Sequence, residues 1–178
     1  MKLKLIAIIL FFVFSQKAES QNLQVKQGNI AFESNAELEV IKASSTKLKG
    51  LFNSSSNSFA FTVDINSFEG FNSALQKEHF NENYLESQSF PRASFSGKIL
   101  DKFDPTKDKQ TLRAKGKLEI HGVIKERILE ITFTKKNGEY HVSSVFNVLL
   151  EDHGITIPRI VVQKISPTIA VVVNAVLK

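Results

Sequence analysis

The 178-residue chain has no cysteine and no tryptophan, and only four histidines, four prolines and eight glycines. Without cysteine it can build no disulfide framework, zinc finger, iron–sulfur cluster, thiol nucleophile or lipid-modified N-terminal cysteine. The histidines, His79, His121, His141 and His153, never fall at the i, i+2 or i, i+4 spacings that place two imidazoles on one metal. There is no glycine-rich phosphate loop and no Gly-x-Ser-x-Gly elbow. Glu151 and Asp152 are adjacent and would point to opposite faces of a strand, so they read as a solvated loop and not as a carboxylate pair. No nucleophile, acid–base pair or metal cluster can be assembled, and catalysis is not expected.

A long apolar run is missing as well. The longest, Leu5 to Phe14, has ten residues, where a membrane-spanning helix needs about 20. Its setting is that of an export signal: Lys2 and Lys4 precede it, and Ala18-Glu19-Ser20 puts small residues at the two positions a signal peptidase reads. Residues 1–20 are therefore expected to be removed after Ser20, leaving one domain over 21–178, periplasmic or secreted, with no stable membrane anchor. Removal takes away three lysines and one glutamate, so the formal charge falls from +5 to +3. That mild balance does not suggest a nucleic-acid partner.

What the chain has in quantity is phenylalanine, 15 in all, set in period-two alternation, the pattern of strands buried on one face. Phe59, Phe61, Val63 and Ile65 alternate with Ala60, Thr62 and Asp64. Ala93, Phe95, Gly97 and Ile99 alternate with Ser94, Ser96 and Lys98. Leu112, Ala114, Gly116, Leu118 and Ile120 alternate with a polar face from Thr111 to His121, and Leu129, Ile131 and Phe133 with Glu130, Thr132 and Thr134. Further strands are expected near 30–33, 38–41, 46–52, 140–149 and 168–177. Asn137-Gly138 and His121-Gly122 mark tight hairpins. Ser54-Ser55-Ser56 reads as a polar turn and 101–109 as a polar loop. Between 71 and 84 the apolar spacing changes: Phe71, Ala74, Leu75, Phe80 and Tyr84 suit a short helix that Asn72 or Ser73 can cap. The expected fold is all-β, an antiparallel barrel of about eight strands with one short helical insert, closed so that no sheet edge is exposed.

Three segments carry a family resemblance. They are Phe68-Glu69-Gly70-Phe71 with His79 to Ser87 and Phe90 to Gly97; Gly116-Lys117-Leu118-Glu119-Ile120-His121-Gly122-Val123-Ile124-Lys125; and Leu150 to Ile155 followed by Ile157-Pro158 and the final strand. In order and spacing they resemble the YceI-like family of bacterial secreted proteins, over about residues 30–177. The resemblance implies a lipocalin-like barrel that holds a long apolar chain, such as a polyisoprenoid, an isoprenoid quinone or another long-chain lipid. The charged head-group residues of the family's better-known branch have no counterparts here: the matching regions read Gln76-Lys77-Glu78-His79 and Glu151-Asp152-His153-Gly154.

On this reading the ligand-binding wall comprises Phe59, Phe61, Val63, Phe95, Leu118, Ile131, Phe133, Phe146 and Val148, with the 71–86 helix and the 152–166 loop at the mouth. Gly97, Gly116, Ala93 and Ala114 would leave volume along those faces. The same alternation equally suits a filled barrel that serves as a secreted interaction or structural module, because both arrangements need an apolar interior.

Overall fold

The computed structural model describes residues 22–178, so the export signal expected over 1–20 lies outside the described residues. Nine strands follow in order: β1 (Asn22–Asn35), β2 (Val40–Ser45), β3 (Lys49–Asn53), β4 (Ser58–Asp64), β5 (Arg92–Ile99), β6 (Lys109–Ile120), β7 (Val123–Lys136), β8 (Glu139–Leu149) and β9 (Thr168–Leu177). Every pairing between strands is antiparallel, and β1 pairs with β9 to close the sheet. The fold is a closed eight-stranded barrel with one extra strand and a short helix, as the alternation implies.

β1 is much longer than the sequence pattern suggests. Its register slips between Val25 and Gln27, and such a bulge inserts one residue and exchanges the two faces. Leu23 and Val25 keep one parity while Ile30, Phe32 and Ser34 keep the other, so no unbroken alternation is visible. One side of β1 serves two partners: β3 pairs with residues 22–24 and β2 with residues 30–35. β2 has no strand on its far side. A 3₁₀ turn at Ile65–Ser67 fills the place, tied by an Oγ–Oγ contact of 2.6 Å between Ser45 and Ser67 and by the bridge between Ser44 and Glu69.

Both tight hairpins form where the two-residue signals lie. His121 and Gly122 have φ of 52° and 70°, and Asn137 and Gly138 have 51° and 77°, the paired positive values of a type I′ turn. The polar turn after β3 is held by Asn53 Oδ1, which accepts from the backbone N and Oγ of Ser56. The helix, α1 (Ala74–His79), is shorter than the 71–84 pattern implies. Ser73 caps it, its Oγ accepting from Gln76 N at 3.1 Å, and residues 80–84 continue as a wider π-type turn. Five- and four-residue gaps between Leu75, Phe80 and Tyr84 do not repeat at 3.6, and the widened turn is how both aromatics reach the barrel.

The outer wall is polar where β6 crosses it. Thr111, Arg113, Lys115 and Lys117 are exposed, Arg113 pairs with Asp101 at 2.7 Å and Lys115 with Glu126 at 3.4 Å. The hydrogen bonds from Arg113 hold the Asp101 carboxyl below the usual carboxylate range. On the neighbouring strands the outer face is partly apolar: Ile124 and Ile128 of β7, Val145 of β8 and Val172 of β9 are exposed. Among the described residues no helix is long and apolar enough to cross a membrane.

Candidate functional site

The barrel interior is divided in two along its axis. At one end, side chains meet across the centre. Phe52, Phe103, Phe133 and Tyr140 form an aromatic layer with ring centroids 5.1 Å apart for Phe52–Phe103 and 5.4 Å for both Phe52–Phe133 and Phe103–Phe133. Tyr140 completes it at 5.6 Å from Phe103. Leu23, Phe59, Ile99, Leu112, Ala114 and Leu177 are buried in the same core. At the other end lies a cavity of about 530 Å³, within the range of small-molecule sites.

The border between the halves falls at one level of the barrel. Phe61, Ile131, Val142 and Ala175 border the cavity, while Phe59, Phe133, Tyr140 and Leu177, two residues further along the same strands, do not reach it; Ile131, Val142 and Ala175 pack on these four from above. Of the wall residues expected from sequence, Phe61, Val63, Phe95, Leu118, Ile131, Phe146 and Val148 line the cavity. Phe59 and Phe133 do not: Phe59 packs at a tilt against Phe95 at a centroid distance of 4.9 Å, and Phe133 belongs to the aromatic layer. Period two tells which face a residue takes but nothing of its height along the axis, so in the sequence these two look like the rest.

The small residues need a correction too. Gly97 and Gly116 are paired across β5 and β6. A Cβ on Gly97 would sit 2.1 Å from the Lys115 carbonyl oxygen, and one on Gly116 would sit 2.8 Å from the Phe95 ring. Close backbone approach and the Phe95 ring use the space, and Ala114 is fully buried in the packed end. Only Ala93 of the four borders the cavity.

A second aromatic group covers the hollow end. Phe32 of β1 stacks on Phe80 at 5.4 Å and 15°, and Phe68 and Phe71 lie 5.6 and 6.0 Å from Phe32. Phe71 and Phe80 are themselves 5.0 Å apart. Aromatic pairs add about 0.5–1.5 kcal/mol each beyond burial, and through them the α1 segment is seated on the barrel. The opposite rim comes from the 150–166 segment: Leu150, Ile155, Val161, Lys164 and Ile165 line the cavity with Leu75, Gln76, His79 and Tyr84. Burial raises the Tyr84 phenol above its ordinary pKa.

Several polar groups in the wall are already engaged. Ser34 Oγ accepts from Ser166 N, Thr62 Oγ1 donates to Ala93 O, Ser144 Oγ donates to Glu130 O and Gln76 Nε2 donates to Glu39 Oε1. Glu39, His79 and Lys164 are the lining residues with chargeable carboxylate, imidazole or amine groups. His79 and Lys164 are exposed, so charge is available at the opening and not in depth. Sequence reasoning left out much of the lining, including Leu129, Val142, Val171 and Ala175, the cover residues Phe32 and Phe68, and Phe103 of the aromatic layer. A single phenylalanine in the otherwise polar 101–109 loop was the available signal for Phe103, which is buried.

The histidines are dispersed. His79 and His141 are exposed. His121 and His153 meet, but as struts. The His121 Nδ1 donates to the His153 carbonyl at 3.1 Å, and the His153 Nδ1 donates to the Val123 carbonyl at 3.1 Å. This joins the β6–β7 turn to the 3₁₀ turn at Glu151–His153, with Phe90 packed edge-on to the His121 ring. Among the described residues no three His, Asp or Glu side chains are grouped to hold a metal.

His153 is 0% exposed, and burial lowers its pKa from the ordinary value against the hydrogen bonds and Asp152, which raise it. The folded protein therefore binds that proton less readily than the unfolded chain. The corresponding stability is complete above about pH 6.5 and is lost as the pH falls below it. We expect the melting temperature of the wild-type protein to drop more than that of His153→Gln between about pH 7 and pH 5.5. Parallel slopes would remove His153 from the acid response.

The YceI-like domain model matches residues 19–177. Solved structures with the same fold include a polyisoprenoid binding domain from Saccharophagus degradans implicated in plant cell wall breakdown (TM-score 0.71, 11% identity, covering 88% of this chain and 97% of that one). BcnA of Burkholderia cenocepacia has a TM-score of 0.68 at 14% identity over 84% of this chain and 95% of its own. A Campylobacter jejuni YceI protein has a TM-score of 0.52 at 15% identity, covering 100% and 90%. No curated protein matches the chain. With the family model spanning the barrel from its first strand to its last, the chain belongs to the YceI-like domain family.

Proposed function

We propose that the protein is an exported carrier that holds a single apolar lipid chain in the hollow half of its barrel, tail toward the aromatic layer and any polar head at the opening. The observation that carries this reading is the cavity itself: about 530 Å³ and walled mostly by aliphatic and aromatic side chains, with the hydroxyls of Ser34, Thr62 and Ser144 already hydrogen-bonded. Below the opening such a wall suits an apolar chain, and the charged groups of His79 and Lys164 stand at the mouth. An apolar chain gains about 0.8 kcal/mol for each methylene withdrawn from water. The polyisoprenoid-binding relative from Saccharophagus degradans supports a prenyl chain, as a polyisoprenoid or the tail of an isoprenoid quinone, and other long-chain lipids share the chemistry. The protein acts by sequestration and not by catalysis. A filled interaction module accounts for the packed half of the interior and leaves the open half without a use.

The test is extraction of natively purified protein with organic solvent, followed by mass spectrometry. A lipid recovered in a fixed ratio to protein is expected. Recovery of no lipid, together with no uptake of an offered prenol or fatty acid, overturns the proposal. Export is tested separately: N-terminal sequencing of the protein from its native source should begin at Gln21, and a chain that still carries residues 1–20 would contradict it.

A further inference from the structure

The aromatic layer lies across the barrel like the bottom of a well. We propose that it is a length stop, so that the protein selects chains about as long as one leaflet of a membrane and cannot admit a long polyisoprenoid in full. The inference rests on the reading that the cavity holds an apolar chain, and deepens it by naming which chains fit.

The wall contributed by β9 runs from Ala175 at the bottom to Ile169 near the rim, about 20 Å of strand at ~3.3 Å per residue. Strands in such barrels tilt by about 40°, which leaves roughly 15 Å along the axis. This is half of the ~30 Å hydrocarbon thickness of a bilayer, the reach of one membrane lipid tail. Below that level there is no passage. Phe52 and Leu177 are 1% and 0% exposed, and Phe133 is 3% exposed. The three rings of Phe52, Phe103 and Phe133 lie in mutual contact at 5.1–5.4 Å. Protein cores of this kind are packed as tightly as organic crystals, and a chain cannot thread them without displacing a ring. Each methylene up to the stop leaves water and strengthens binding roughly fourfold; each one beyond the mouth stays wet and adds nothing.

Displacement of a dansyl-labelled fatty acid from the purified, delipidated protein tests this with octanoate, laurate, palmitate and lignocerate as competitors. Affinity should climb steeply to laurate, whose extended tail spans the well, and then level, palmitate and lignocerate binding little better. Val142 borders the cavity just above the layer, so Val142→Phe adds a ring at the bottom and leaves the aromatic layer in place. It should move the plateau down toward octanoate and weaken laurate by roughly tenfold or more. Phe133→Leu opens the layer and should let the gain continue past laurate. Affinity that rises to lignocerate in the wild type overturns the length stop, as does a Val142→Phe protein that folds and keeps the wild-type order. If neither the dansyl probe nor any competitor binds at all, the fault lies with the carrier reading and the length stop falls with it.

Discussion

Replacing Phe133 with alanine is expected to cost about 3–5 kcal/mol of folding free energy, whereas Phe146→Ala should cost under about 2 kcal/mol. Both residues face the interior of the barrel, and both read alike in the sequence. Phe133 is 3% exposed and touches the rings of Phe52, Phe103 and Tyr140. Its loss removes the transfer energy of the ring and leaves a hole that the rigid barrel cannot close. Phe146 borders the cavity, so one side of its ring already lacks partners, and fewer dispersion contacts are forfeited when it goes. Urea unfolding followed by far-ultraviolet circular dichroism measures the pair, with unchanged slopes as the check that both variants unfold in the same two-state manner. Equal losses would mean that the interior is uniformly packed, and would count against a hollow half. Ligand binding adds a second contrast: Phe146→Ala should change affinity for an apolar chain, because its ring is part of the wall.

Gly97→Ala is the other large effect. The added methyl would stand 2.1 Å from the Lys115 carbonyl oxygen and 2.5 Å from the Gly116 Cα. These are main-chain atoms held by the β5–β6 ladder, so no side-chain rotation relieves the clash. The two strands must part near their centre, and the Phe59 and Phe95 rings that pack beside the Gly97–Gly116 pair must follow. We expect a loss of about 3 kcal/mol or more, at the upper end for an overpacked site. Gly138→Asn is the control. A Cβ there meets nothing within 4 Å, and asparagine tolerates the left-handed φ of 77°, so the cost should stay within about 1 kcal/mol. Thermal unfolding separates the two. Comparable melting temperatures for both variants would show that β5 and β6 can move apart cheaply at this point.

The two glycines also show where reading from sequence alone goes astray. Gly97 and Gly116 fall on inward faces, and small inward residues invite the inference of open space. In the folded barrel they are cross-strand partners, and their missing side chains let two backbones and the Phe95 ring come together. β1 is a similar case: a bulge between Val25 and Gln27 inverts its faces midway and hides a 14-residue strand behind a broken pattern. The helical segment was visible from its altered spacing, although its irregular gaps conceal the π-type turn at Phe80–Tyr84.

The sequence by itself determined the class of fold, the hairpins and the inward faces of several strands. Alternation along a strand reports the side on which each residue lies, and Asn-Gly or His-Gly between two such runs requires a tight antiparallel return. These are local properties, written within ten or so residues. What only the tertiary structure decided is how the interior is used. Phe133 and Phe146, or Phe59 and Phe61, obey the same period two. Whether a ring meets other rings or empty space depends on the stagger of eight strands about the axis and on a loop phenylalanine, Phe103, arriving from outside the pattern. Height along a barrel is a sum of registers between strands far apart in sequence, and no local periodicity encodes it. Half the interior is therefore filled and half hollow, in a chain whose residues announce only that the inside is apolar.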